Sequence, residues 1–181
     1  MTGKRAVFLD RDGVINRSII KNGKPYPPAS LDELEVLPGV ANALERLHDA
    51  GFRLIVVTNQ PDVARGTQTR ETVDVINNSL RAQLVLDEFR VCCHDDAEHC
   101  SCRKPRPGML LDAAKDHHID LAASYMIGDR WRDIEAGEHA GCVTIFVDHG
   151  YQEQQPQQFR TRVRSLAEAA DWILSNKGGK G

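Results

Sequence analysis

Residues 6–16 read Ala-Val-Phe-Leu-Asp-Arg-Asp-Gly-Val-Ile-Asn, and this stretch decides the fold. Four apolar residues, Ala6 to Leu9, are too few for a helix and predict a buried strand that runs straight into two carboxylates and Gly13. Asp10 and Asp12 therefore fall together where a strand leaves its sheet. Desolvating a carboxylate at the mouth of an apolar strand is costly unless a cation compensates it, so the pair points to a metal-assisted site. A plain strand-to-turn junction has the same composition, because Asp and Gly are common in turns. The rest of the chain separates the two readings.

The same pattern repeats outward from it. Phe52 to Val57 is a second apolar strand and ends in Thr58-Asn59-Gln60; Ser124 to Ile127 is another and ends in Gly128-Asp129. Phe89 to Cys92 and Val143 to Val147 add two more. Helical periodicity falls between them: 39–50 with Val40, Ala43, Leu44 and Leu47 on one face, 71–86 behind a Thr69 N-cap, 108–117, a segment holding Asp133, Ile134 and Ala136, and 166–174. Strands alternating with helices predict an α/β fold, a Rossmann-like three-layer sandwich with a central, mostly parallel sheet. Ligands of such sheets bind at the carboxyl ends of the strands, where Asp10, Asp12, Thr58, Asn59 and Asp129 all sit. Residues 17–37 carry Gly23, Pro25, Pro27 and Pro28 and predict a loop of about twenty residues over that site. No large cap domain is visible. A single domain is expected over 1–176, with a disordered tail at 177–181.

Composition narrows the partners. A chain of 181 residues, 41% hydrophobic and 27% charged, has room for one soluble globular core. A net charge of −3 gives no general basic field, which argues against nucleic acid or an anionic membrane as the main partner. No signal peptide and no apolar stretch long enough for a bilayer is present, so a cytoplasmic protein, monomeric and acting on a small molecule, is expected. Four of the five cysteines fall between 92 and 102, which in a cytosolic chain points to metal rather than disulfides. Soft thiolates with an imidazole in two close pairs suit a closed tetrahedral Zn²⁺ site, and Cys92, His94, Cys100 and Cys102 form the best set. Cys93 and His99 are spare candidates. The set runs directly into Arg103-Lys104, so the metal would pin the loop that presents those cations.

A phosphate at the crevice makes chemical sense of the remainder. Mg²⁺ favours a few carboxylates plus phosphate oxygen, which Asp10 and Asp129 supply; Lys104 offers a point charge and Thr58 a hydroxyl donor. Asp10 is placed to attack phosphorus and form an aspartyl-phosphate, and Asp12 to protonate the leaving alcohol and later deprotonate water.

Leu9-Asp10-Arg11-Asp12-Gly13, Thr58-Asn59-Gln60, Arg103-Lys104-Pro105 and Gly128-Asp129 to Asp133 resemble, in order, the four motifs of the haloacid dehalogenase superfamily in its phosphatase branch. The resemblance implies that Asp10 is the nucleophile, that Asp12 is the acid/base and also binds Mg²⁺ through its backbone carbonyl, that Asp129 is a metal ligand, and that the Thr58-Asn59-Gln60 segment and Lys104 bind phosphate. Asp133 occupies the second acidic position of the last motif. The cysteine cluster is similar to that of two branches, one acting on a sugar bisphosphate and the other on histidinol phosphate. Flanking stretches favour the sugar bisphosphate, whereas the five residues between His94 and Cys100 are closer to the other branch. A second phosphate needs a second cation, and Arg65, Arg103 and Arg106 are available, Arg103 standing best by motif position. A receiver-type phospho-aspartate module is the competing class, but it predicts the aspartate after a middle strand, no acid/base two residues on, and no cysteine cluster.

Overall fold

The apolar run Ala6–Leu9 forms strand β1, fully buried, and its alternation divides the core. In a strand successive side chains point to opposite faces. Val7 and Leu9 therefore join one apolar cluster while Ala6 and Phe8 join the other. The computed structural model describes residues 3–176; the tail expected at 177–181 lies outside the described residues.

The central sheet has six strands, all parallel: β1, β4 (Arg53–Asn59), β5 (Glu88–Cys92), β6 (Tyr125–Gly128), β7 (Val143–Val147) and β8 (Thr161–Val163). Their order is β5-β4-β1-β6-β7-β8. The chain thus builds outward from β1 to one side, then returns and builds to the other. The carboxyl end of β1 is the switch point, where a doubly wound sheet opens its crevice. On one face pack α1 (Val40–Asp49), α2 (Arg70–Gln83) and α5 (Leu166–Ser175), burying Leu44, Leu47, Ile76, Leu80, Leu166 and Ile173. On the other pack α3 (Gly108–His117) and α4 (Trp131–Ala140), through Met109, Leu110, Ala113, Ala136 and Ala140. The three-layer α/β architecture is the one the alternation predicts.

Three local expectations are corrected. Residues 17–37 are not irregular throughout: β2 (Ile19–Lys21) and β3 (Lys24–Tyr26) pair as an antiparallel hairpin, followed by a 3₁₀ turn at Leu31–Glu33. Asn22 and Gly23 turn it with φ of 51° and 72°, the left-handed pair that a two-residue hairpin needs. The prolines mask this, but Pro25 lies on a two-stranded ribbon with no inner strand to interrupt. Secondly, β8 was missed: three residues with little periodicity become a strand because Val147 offers an open edge. Thirdly, α2 stops at Gln83 rather than 86, and β4 runs on through Asn59, so Thr58 and Asn59 belong to the strand end itself. Thr69 caps α2 as expected, its hydroxyl accepting from the Thr72 amide at 3.1 Å.

Candidate active site

Asp10 follows β1 directly and is 6% exposed. The sheet brings two more carboxylates to it: Asp129, just past β6, and Asp133, one turn into α4. One oxygen from each lies within 4.8 Å of the others, and all three side chains are buried. Lys104 is the cation among them, itself 1% exposed; its ammonium donates to Asp10 Oδ1 at 2.8 Å and to the Val57 carbonyl at 2.7 Å, and pairs with Asp133 Oδ1 at 2.6 Å. Three carboxylates against one ammonium leave negative charge in excess.

That excess shows in the protonation equilibria. Burial, then the neighbouring Asp133 charge, raise the Asp10 carboxyl to about 6, against the pull of Lys104. Burial and the charges of Asp10 and Asp133 push Asp129 upward as well. Lys104 moves the other way from an isolated buried amine: burial favours its neutral form, but Asp10 and Asp133 outweigh that and hold it protonated.

The pocket fits a divalent cation. Both oxygens of Asp129 are buried without a hydrogen bond of good geometry, and the Tyr151 hydroxyl is a nearby donor that eases its carboxyl downward against burial. Orphaned buried carboxylate oxygens are expensive, and hard oxygen donors beside a phosphate site are what Mg²⁺ selects. Gly13 makes room for this: at φ 86°, a Cβ there would lie 1.8 Å from Asp129 Oδ2. Any larger residue would enter the cluster.

Asp12 is held differently. Its carboxylate accepts from Arg11 Nε (3.2 Å) and Nη2 (3.1 Å), from Asn16 Nδ2 (2.9 Å) and from Gln60 Nε2 (2.8 Å). Arg11 is completely buried and anchored in turn by Asn77 Oδ1 at 2.9 Å. The side chain of Asp12 is therefore outside the carboxylate trio but fixed beside it, on the wall of the same cavity as Asp10. Nothing in the sequence announced Arg11 or Asn77: a guanidinium between two aspartates reads as surface until the fold buries it.

The other predicted residues sort by what they touch. Gln60 Nε2 also donates to Thr58 Oγ1 at 2.9 Å, so this amide positions the Thr58 hydroxyl and Asp12 together. Asn59 spends both amide atoms on the Lys104 backbone, donating at 3.0 Å and accepting at 3.1 Å. It reads as the clamp that presents Lys104 rather than as a free phosphate donor, which sharpens the expectation for that residue. Arg65 is paired with both oxygens of Asp95 at 2.7 and 2.9 Å, and Arg103 donates to Asp96 Oδ1 at 2.8 Å and to the His94 carbonyl at 3.3 Å. Both line a cavity of about 250 Å³ that opens over Asp10. Arg106 instead bonds the Cys100 carbonyl. Sequence reasoning missed Arg130 and Arg132, which line the same cavity, and His149, whose Nε2 donates to the Gly13 carbonyl at 2.7 Å.

The cysteine cluster gathers as its spacing predicts. Sγ atoms of Cys92, Cys100 and Cys102 lie 3.1–3.7 Å apart, and His94 Nδ1 lies 3.5 Å from Cys92 and 3.3 Å from Cys102. Sulfurs about 2.3 Å from a central Zn²⁺ would sit roughly 3.8 Å apart, whereas a disulfide brings them to about 2.0 Å. Four soft donors at these spacings fit a closed zinc site. Cys93 is not among them; its sulfur accepts from Arg70 at 3.3 Å. His99 is a left-handed residue closing the 3₁₀ turn Asp96–Glu98 and is likewise outside the group.

Comparison with known proteins gives the family. The HAD-hydrolase-like family profile matches residues 101–175. The D-glycero-beta-D-manno-heptose-1,7-bisphosphate 7-phosphatase of Haemophilus ducreyi is 40% identical over 78% of this chain and 81% of its own length. That of Escherichia coli K12 is 35% identical over 94% and 88%. The crystal structure of D,D-heptose 1,7-bisphosphate phosphatase from B. bronchiseptica, complexed with magnesium and phosphate, superposes with a TM-score of 0.81 at 33% identity, covering 95% of this chain and 99% of that one. The chain belongs to the HAD-like hydrolases and, within them, to the family of heptose-1,7-bisphosphate 7-phosphatases. Among the described residues no helix is long and apolar enough to cross a membrane.

Proposed function

We propose that this protein is a Mg²⁺-dependent, zinc-stabilised phosphatase that removes the 7-phosphate of D-glycero-D-manno-heptose 1,7-bisphosphate through an aspartyl-phosphate, and that it works as a cytoplasmic monomer. The observation that carries the reading is Asp10, buried at the switch point with one oxygen gripped by Lys104 and two further carboxylates beside it.

The chemistry follows from the contacts. Lys104 holds Asp10 Oδ1, so attack on phosphorus runs through the other oxygen while the ammonium steadies the charge that develops. The sugar oxygen leaves with a proton from Asp12, whose geometry Arg11, Asn16 and Gln60 fix. Asp12 then takes a proton from water, the hydroxide attacks the aspartyl-phosphate, and inorganic phosphate and free Asp10 result. Asp10, Asp129 and the Asp12 backbone carbonyl would hold Mg²⁺, which when bound neutralises the phosphoryl oxygens. Thr58 and Lys104 bind the reacting phosphate, and Arg103 and Arg65 stand on the cavity wall for the rest of the substrate. Cys92, His94, Cys100 and Cys102 would hold Zn²⁺, which when bound would tie β5 to the segment that carries Arg103 and Lys104.

Five residues between His94 and Cys100 favour a second reading, histidinol phosphate as substrate. Phosphate release from the two compounds, compared side by side as kcat/KM with Mg²⁺ present, decides between them. A large preference for the bisphosphate is expected; a preference for histidinol phosphate would keep the mechanism and replace the substrate.

A further inference from the structure

Three cations lining the cavity have counter-ions of their own: Lys104 has Asp10 and Asp133, Arg65 has Asp95, and Arg130 has Glu153 at 2.8 and 2.5 Å. Arg103 and Arg132 do not. They share one carboxylate: Asp96 takes Arg103 Nε at 2.8 Å on Oδ1, Arg132 Nη1 at 3.1 Å on the same oxygen, and Arg132 Nη2 at 3.3 Å on Oδ2. Two guanidinium forks on one carboxylate leave a positive charge unmet and N–H donors to spare. A phosphate, with three acceptor oxygens and up to two charges, fits the same place better than a carboxylate does.

The geometry places this clasp where a second phosphate belongs. Asp96, Arg103 and Arg132 line the cavity that holds Asp10. Lys104 bridges the two ends: its carbonyl lies 3.5 Å from Arg132 Nη1 and its ammonium 2.8 Å from Asp10, so clasp and nucleophile are one lysine apart. Arg132 is held in shape by stacking on Trp131, 4.7 Å to the ring centroid. Asp96 is the exposed member, its side chain 56% exposed on the turn that begins at its own residue, whereas Arg103 is 8% exposed.

We propose that Arg132 completes, with Arg103, the seat of the substrate's distal phosphate, and that Asp96 is a built-in stand-in which that phosphate displaces. The inference rests on the bisphosphate reading above. It makes Arg132 a specificity residue, and it makes Asp96 a competitor of the substrate.

The test compares heptose 1,7-bisphosphate with p-nitrophenyl phosphate, a monoester lacking the second anion. Arg132→Gln should raise KM for the bisphosphate about 10- to 100-fold, the worth of charged hydrogen bonds to phosphate, and leave kcat/KM for the monoester within about twofold. Arg132→Lys, which keeps the charge and loses the fork, should fall between and serves if the glutamine variant folds poorly. Asp96→Asn should lower KM for the bisphosphate several-fold at unchanged zinc content; a raised KM would mean that Asp96 only braces the arginines, and would overturn its role as a stand-in. Equal losses on both substrates, or none, for Arg132→Gln would overturn the clasp while the wild type still prefers the bisphosphate. A wild type with no such preference would sink the bisphosphate reading, and the clasp with it.

Discussion

Among the described residues two clusters of side chains could hold a metal ion, and they are assembled in opposite ways. Cys92, His94, Cys100 and Cys102 come from one stretch of eleven residues, with only Cys92 buried, and gather one short segment of chain. Asp10 lies far along the sequence from Asp129 and Asp133; all three are buried, and they meet only because β1 and β6 are neighbours in the sheet. The first is a local staple whose donors need nothing but the right spacing. The second is strained electrostatically, three carboxylates around one lysine, and the fold must hold it against its own repulsion. A net negative pocket of this kind suits a divalent cation, while Lys104 offers a positive charge to an anion.

The contrast can be broken or sharpened by experiment, beginning with the largest effect. Asp10→Asn should lose at least about a thousandfold in turnover, as removal of a covalent nucleophile does, with zinc content and thermal midpoint close to wild type. A near wild-type rate would remove Asp10 from that role. Lys104→Met leaves the buried carboxylates without their cation and should cost the Mg²⁺-free protein about 3 kcal/mol in urea unfolding, a loss that Mg²⁺ partly restores. Recovery by zinc instead would mean that the two clusters are not separate. Cys102→Ala should release zinc, read by metal analysis, and lower kcat/KM by about 10- to 100-fold as the Arg103-Lys104 segment loosens. Unchanged zinc would take Cys102 out of the ligand set.

The smallest effect is one of pH. Asp10 binds its proton more tightly in the folded protein than in the unfolded chain, its pKa raised from 3.8 to about 6. Its sign is therefore the reverse of a salt-bridged aspartate: this group lowers the stability of the Mg²⁺-free protein as pH rises from about 4 to about 6, and the deficit stays constant above. A divalent cation must displace the same proton. Mg²⁺ affinity, measured by calorimetry, should fall by at least about tenfold per pH unit below pH 6, and more steeply where the raised Asp129 carboxyl is protonated as well. Affinity flat down to pH 5 would show that Asp10 is ionised before the metal arrives.

Much of the site was legible because its chemistry is written in short segments. The Asp10-x-Asp12-Gly13 turn, the strand end at Thr58 and the Gly128-Asp129 turn each carry a strand's apolar run into a polar residue, and the topology rule then places them together. Roles that depend on which partner a side chain finds were not legible. Asn59 and Gln60 sit in the right segment, but only the structure shows their amides committed to Lys104 and Asp12. Arg132 and Asp96 are 36 residues apart and look like ordinary surface charges until α4 and the cysteine-rich loop meet at one cavity. The hairpin at 19–26 was announced by Asn22-Gly23 and obscured by the prolines around it.

By itself the sequence determined the layer architecture and pointed to Asp10 and to the group Cys92, His94, Cys100 and Cys102, because strand and helix periods, turn glycines and close ligand spacing are all local quantities. Only the tertiary structure decided which charges face each other. That Asp10 shares Lys104 with Asp133, that Asp129 is left with unpartnered oxygens, and that two arginines share Asp96 are consequences of burial and of strand order. Coulomb energy depends on the separation of groups and on the water excluded between them, and neither can be read along a chain.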